Sequence, residues 1–230
     1  MRWLSLLVLA ALAAPMPAPA QPPSQPPPQP PPAVRFVVVL DAAHGGSDPG
    51  AALASGQPEK VVTLALSVRL RSLLAARGIP VVTTRESDVA LDPDQRAAIA
   101  NRANAQVCLI LHATESGSGI HLFTSSLAPA PTQRFLPWKT AQSAFVSRST
   151  ALAGALNSAL LHASLNVTLG RASLPGLDSM TCPALAVEVA PQRGSDNSIL
   201  AEPDNPDYQA QVASALASAI LDWRSEPRQP

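Results

Sequence analysis

Two spacings of apolar residues alternate along this chain. Residues 34–40 form an apolar, β-branched run that reads as a strand buried on both faces. In residues 60–76, Val61, Leu64 and Val68 together with Val62, Leu66, Leu70 and Leu73 fall on helical spacing, and Gly78 closes the helix. Residues 79–84 are a second strand. Asp92 as N-cap, Pro93 at the first helical position and Gln95 three residues past the cap predict a helix to about Ala103. Residues 107–111 are a third strand ending at His112, and residues 120–124 a short strand placed at a sheet edge. Residues 125–138 are Pro-rich and irregular. Residues 141–164 form a long helix with Phe145, Leu152, Leu156, Leu160 and Leu161 as core positions, and a loop then runs to Cys182. Residues 184–189 are the last central strand. Residues 208–223 close the pattern as an amphipathic helix on Val212, Leu216, Ile220 and Trp223. This alternation predicts an α/β fold of three layers, a mostly parallel central sheet with helices on both faces.

The N-terminal residues read differently. Arg2 provides a positive start, residues 3–14 an apolar segment shorter than the ~20 residues a membrane span requires, and Ala18-Pro19-Ala20 a small-residue cleavage site. Residues 1–20 are therefore expected to be a signal peptide. Residues 21–33 alternate Gln, Ser and Pro and are expected to be an extended polyproline linker rising about 3.1 Å per residue. One catalytic domain is expected at residues 34–224, with a tail at 225–230. No integral membrane segment is expected after cleavage, and the signal peptide predicts an exported protein of the periplasm or of the extracellular space and cell wall.

Charge narrows the partners. Lys and Arg total 16, as do Asp and Glu, for a net charge of 0. Nucleic acid and anionic membrane surfaces attract a basic excess, which is missing here. Aromatic residues are only 3% of the chain, too few for a stacked sugar-binding platform. No repeat and no second domain is visible, and a monomer is expected. Cys108 and Cys182 either form a disulfide, as exported chains allow, or serve as small core hydrophobes.

Chemistry gathers at strand ends. The first strand stops at Asp41, and His44 follows in a loop of Gly, Ser, Asp and Pro. Glu59 opens the first helix, His112 ends the third strand and Glu188 lies near the end of the last one. A parallel sheet brings such positions to one edge, where ligands bind. Two imidazoles and one carboxylate form a ligand set used for catalytic zinc. Each residue also has an ordinary reading: a loop hydrogen bond for either His, and helix-dipole stabilisation for Glu59. Glu188, within Ala184-Leu185-Ala186-Val187-Glu188-Val189, is costly to bury unless paired or functional. His121 and His162 read as ordinary side chains.

At these residues the chain resembles the zinc-dependent N-acetylmuramoyl-L-alanine amidases of the amidase-3 cell-wall hydrolase type. Residues 41–51, DAAHGGSDPGA, resemble that family's D-P-G-H-G-G-x-D-P-G-A opening, and Glu59-Lys60 begin the first helix in the same way. Thr84, Arg85 and Asp88 resemble its T-R-x-x-D pattern, and Arg96 with Ala100-Asn101 its R-x-x-x-A-N. Leu111-His112-Ala113 resembles S-I-H-A-N, and residues 183–188, PALAVE, resemble P-A-V-L-V-E. The resemblance implies that His44, Glu59 and His112 bind Zn2+ and that Glu188 is the catalytic carboxylate. It also implies a peptidoglycan substrate, cut at the amide between N-acetylmuramic acid and L-alanine of the stem peptide. Two alternatives stay open: an inert cell-wall binder of the same fold, and a zinc peptidase acting elsewhere in the stem peptide.

The chain also departs from that pattern. Ala42-Ala43 replaces Pro-Gly, Thr114 replaces Asn, and residues 190–197 replace G-F-x-S-N, which changes the expected substrate rim. Gly45-Gly46 is expected to let the backbone pass close to the metal. One long helix and two loops occupy the interval between His112 and Glu188, so an unblocked site is expected.

Overall fold

The computed structural model describes residues 35–130 and 136–225. The expected signal peptide and linker, and the tail beyond Ser225, lie outside the described residues. A six-stranded sheet forms the centre, in the order β2-β1-β3-β6-β4-β5. β1 (Val38–Ala42) lies parallel to β2 (Val81–Thr83) and β3 (Val107–Ala113), and β3 lies parallel to β6 (Ala184–Val189). β4 (Ile120–Ser125) runs antiparallel to β6, and β5 (Val167–Ala172) runs parallel to β4.

Helices cover both faces. On one face, α1 (Glu59–Ala75), α3 (Val146–His162) and α5 (Pro206–Ser225) pack Leu66, Leu70, Leu156, Leu160 and Ile220 against Val38, Leu109, Leu111 and Val187. On the other, α2 (Pro93–Arg102) and the single turn α4 (Pro175–Asp178) pack Ala97, Ala100 and Leu177 against Val39, Ile110, Ala184 and Ala186. Residues 107–111 are apolar throughout because successive side chains of β3 enter different cores. A fully buried Leu in either core contributes about 1.5–3 kcal/mol.

Local signals explain the helix starts. Asp92 accepts from the Gln95 backbone N–H at 2.7 Å and the Gln95 side chain accepts from the Asp92 N–H at 3.0 Å, a complete capping box. Glu59 is the first residue of α1, where a carboxylate favours the helix dipole.

Three expectations change. β4 is not an edge strand, because β5 pairs beyond it. β5 escapes the apolar pattern because an edge strand needs little core: Leu169 is 55% exposed. The long helix starts at Val146, after a 3-10 segment Trp138–Ala144 that is broken at Thr140 (φ −127°, ψ 19°). The loop before Cys182 contains β5 and α4, and β7 (Gln192–Arg193) pairs with β8 (Ile199–Ala201) in a separate small sheet.

Cys108 and Cys182 form a disulfide, Cα–Cα 6.2 Å, joining the start of β3 to the turn before β6. Among the described residues no helix is long and apolar enough to cross a membrane.

Candidate metal centre

β1 ends at Ala42, and the chain turns at His44, which adopts φ 62°. Two buried arginines hold this turn by its carbonyls. Arg96 donates to the oxygens of Ala42 at 2.7 Å and His44 at 2.8 Å, and its Nη1 meets the Asp41 carboxylate at 2.7 Å. Arg85 donates to the oxygens of Ala42 at 2.8 Å, Ala43 at 3.0 Å and Lys60 at 2.7 Å. Asp88 accepts from the Gly46 N–H at 2.7 Å and pairs with Lys60 at 2.7 Å. The polar positions Thr84-Arg85-Asp88 and Arg96 therefore shape the loop that carries His44. Ala42-Ala43 leaves this scaffold intact, because the contacts use backbone oxygens.

Glu59 reaches from the start of α1 across the ends of β1 and β3. One carboxylate oxygen accepts from the Ala113 N–H at 3.1 Å and lies 2.8 Å from His112 Nδ1. The other accepts from the Ala51 N–H at 2.9 Å and lies 3.1 Å from His44 Nε2. His44, Glu59 and His112 offer ligand atoms that all lie within 4.8 Å of one another, and no second such group occurs among the described residues. The Glu59 side chain is 6% exposed, against 24% for His44 and 27% for His112, so the group opens to solvent on the imidazole side.

The glycine that permits this approach is Gly50, not Gly45-Gly46. A Cβ on Gly50 (φ +70°) would lie 2.6 Å from Glu59 Oε2 and 2.7 Å from His44 Cδ2, whereas Gly45 and Gly46 abut Val89 and Ala90.

Electrostatics suit a cation. Burial alone would raise Glu59, but hydrogen bonds from His112, His44 and the Ala51 N–H outweigh it and hold the carboxyl well below the ordinary range. The hydrogen bond to Glu59 raises His44 above 6.5, against burial and with help from Asp48. His44 Nδ1 donates to Asp48 Oδ2 at 2.7 Å, which aims Nε2 at Glu59 and into the opening. An ionised carboxylate and two imidazoles on one small opening fit a divalent ion of the zinc type.

Glu188 is the cross-strand neighbour of His112 in the β3–β6 register, but lies outside the three-residue group. It is paired: His121 Nδ1 donates to Glu188 Oε2 at 2.7 Å. His121, read from sequence as ordinary, is thus the partner of Glu188. The available signal was the unpaired carboxylate itself, which called for a partner on a neighbouring strand. His162 sits on α3, bonding the Ser158 carbonyl within its own helix. Thr114 closes a local turn by accepting from the Ser116 N–H at 3.1 Å.

A cleft of about 230 Å3 adjoins His44 and His112, with Leu91, Pro93, Ile110 and Leu177 on its walls. α4 therefore borders the site, where sequence reading placed a loop. A larger cavity of about 710 Å3 between α3 and α5 is lined mainly by Ala and Ser and lies away from these residues.

The family described as N-acetylmuramoyl-L-alanine amidase matches residues 38–222. The germination-specific N-acetylmuramoyl-L-alanine amidase of Bacillus subtilis is 30% identical over 215 residues, covering 84% of this chain and 82% of that protein. The N-acetylmuramoyl-L-alanine amidase AmiC of Neisseria meningitidis is 32% identical over 108 residues, covering 44% of this chain. That match, like the one to AmiA of Escherichia coli, spans only about a quarter of the relative's length, 26% and 27%. Among solved structures, the catalytic domain of CwlV from Bacillus (Paenibacillus) polymyxa superposes with a TM-score of 0.64 at 26% identity, covering 82% of this chain and 98% of that one.

Proposed function

This chain belongs to the N-acetylmuramoyl-L-alanine amidase family, and from that premise we propose that it is an exported peptidoglycan hydrolase acting on the amide between the lactyl group of N-acetylmuramic acid and L-alanine of the stem peptide. Residues 34–224 are the catalytic domain in this reading, and the leader-like residues 1–20 support export to the periplasm or the cell wall. The observation that carries the proposal is the gathering of His44, Glu59 and His112 ligand atoms within 4.8 Å, one strand away from Glu188.

His44, Glu59 and His112 are the residues that hold Zn2+. Bound there, zinc supplies a Lewis acid for the amide carbonyl and makes water a stronger acid. Glu188 takes a proton from the attacking water as its oxygen bonds to the lactyl carbonyl carbon. The same carboxyl then returns that proton to the amide nitrogen as the C–N bond breaks. The products are a free lactyl carboxylate and a peptide with an L-alanine amine. Arg85 and Arg96 fix the loop of His44, and Asp48 fixes the ring.

Metal content and turnover test these roles together. Glu188→Gln is expected to keep one zinc per chain and lose about 10²-fold or more in kcat, whereas His112→Ala loses the zinc. A Glu188→Gln variant at wild-type rate contradicts the proton-transfer role, and unchanged zinc in His112→Ala contradicts the ligand assignment.

A further inference from the structure

Building on the proposed amidase reaction, we infer that His121 is a positioning residue for Glu188, the second half of a carboxylate–imidazole pair that orients the base. The pair follows from sheet register. In β6, Glu188 stands opposite His112 of β3 on one side and opposite His121 of β4 on the other. One row behind, Ala186 stands opposite Ile110 and Phe123 in the same way. Ile110, Ala186 and Phe123 belong to the core beneath α2 and α4, so period-two alternation places His112, Glu188 and His121 in a polar row on that same face. The antiparallel insertion of β4 beside β6 is what supplies His121, since a wholly parallel sheet would put a different residue there.

The imidazole is held on three sides. Its Nδ1–H donates to Glu188 Oε2 at 2.7 Å. The Phe123 ring lies edge-on, 6.2 Å between centroids at 74°. The Gly117 backbone closes the far edge: with φ +85°, it passes so near that a Cβ there would lie 2.4 Å from His121 Cε1 and 2.7 Å from Nε2. That loop is itself tied down, because Arg193 donates to the Gly117 oxygen at 3.0 Å and the Gly119 N–H donates to the Pro191 oxygen at 2.9 Å. Residues 190–193, where the chain departs from the family pattern, therefore secure the loop that secures the imidazole.

The consequence is chemical. A carboxylate on a strand end can rotate about its side-chain torsions, and a misplacement of ~1 Å costs a proton-transfer base about 10²-fold. One directional donor on Oε2 fixes the carboxylate plane and leaves Oε1 to accept the proton from water. The ring of His121 touches neither substrate nor metal ligands in this role and acts only through Glu188.

His121→Leu removes the donor at similar volume, and His121→Asn places an amide N–H near the position of Nδ1. The zinc-loaded full chain is assayed on a soluble muropeptide for kcat and KM, with zinc per chain and melting temperature measured in parallel. His121→Leu is expected to lower kcat about 10–100-fold with KM and zinc unchanged, and His121→Asn to recover most of the loss. An unchanged kcat in His121→Leu, a loss that tracks zinc or KM, or an Asn variant no better than the Leu variant overturns the role. Should His121→Leu not fold, His121→Asn alone decides: kcat within about threefold of wild type supports the role, and a loss beyond about tenfold overturns it. A zinc-loaded wild type that releases no peptide overturns the amidase reading and this role with it, whereas an active wild type beside an equally active His121→Leu overturns this role alone.

Discussion

His44 Nδ1 donates to Asp48 Oδ2 across 2.7 Å, and that bond turns His44 Nε2 toward Glu59, 3.1 Å away. A metal-binding imidazole whose second nitrogen is held by a carboxylate keeps one tautomer and one orientation. Asp48→Ala is therefore expected to weaken zinc binding about 10–100-fold while leaving the fold intact, since the Asp48 side chain is largely exposed. Competition against a zinc chelator measures this. Equal affinity in the two proteins contradicts the role given to Asp48.

The same group predicts a pH signature for the metal-free protein. Glu59 is held below its ordinary 4.5, so its contribution to stability is complete above that value and is lost as pH falls toward the depressed one. His44 is raised above 6.5, so its contribution is complete below 6.5 and is lost as pH rises through the raised value. The stability difference between chelator-treated wild type and Glu59→Gln is expected to peak between about pH 4.5 and 6.5, at about 1–3 kcal/mol. Urea melts at a series of pH values test it, and a difference that does not vary with pH contradicts it.

The disulfide should matter for stability rather than chemistry. Cys108 and Cys182 are 74 residues apart, a loop whose closure constrains the unfolded chain by about 2–4 kcal/mol. They also lie at the start of β3 and before β6, whereas His112 and Glu188 lie at the other ends of those strands. Cys108→Ala/Cys182→Ala is expected to melt earlier in denaturant yet hold one zinc per chain. Loss of zinc in the folded variant contradicts this separation.

Much of the candidate site was legible because its residues sit where local signals are strong. The capping box at Asp92 and Gln95, the helical spacing from Val62 to Leu70 and the apolar runs of β1, β3 and β6 each report on their own segment. Strand ends of a parallel sheet then place His44, Glu59 and His112 together without any long-range pairing having to be guessed. What escaped depends on pairing. His121 gains its meaning only from the antiparallel register of β4 on β6, which no residue of residues 120–124 announces. β5 escaped because an edge strand with an exposed Leu169 and a Gly170 against the Phe123 ring carries little apolar pattern, and α4 because it is a single turn.

The central claim concerns one bond. Purified zinc-loaded protein incubated with defined muropeptides, with products resolved by mass spectrometry, tests it most directly. The expected result is release of the intact stem peptide with a new L-alanine amino terminus, leaving the lactyl carboxylate on N-acetylmuramic acid, and loss of that product on chelation. Cleavage between amino acids of the stem peptide, or no metal-dependent product at all, would contradict it.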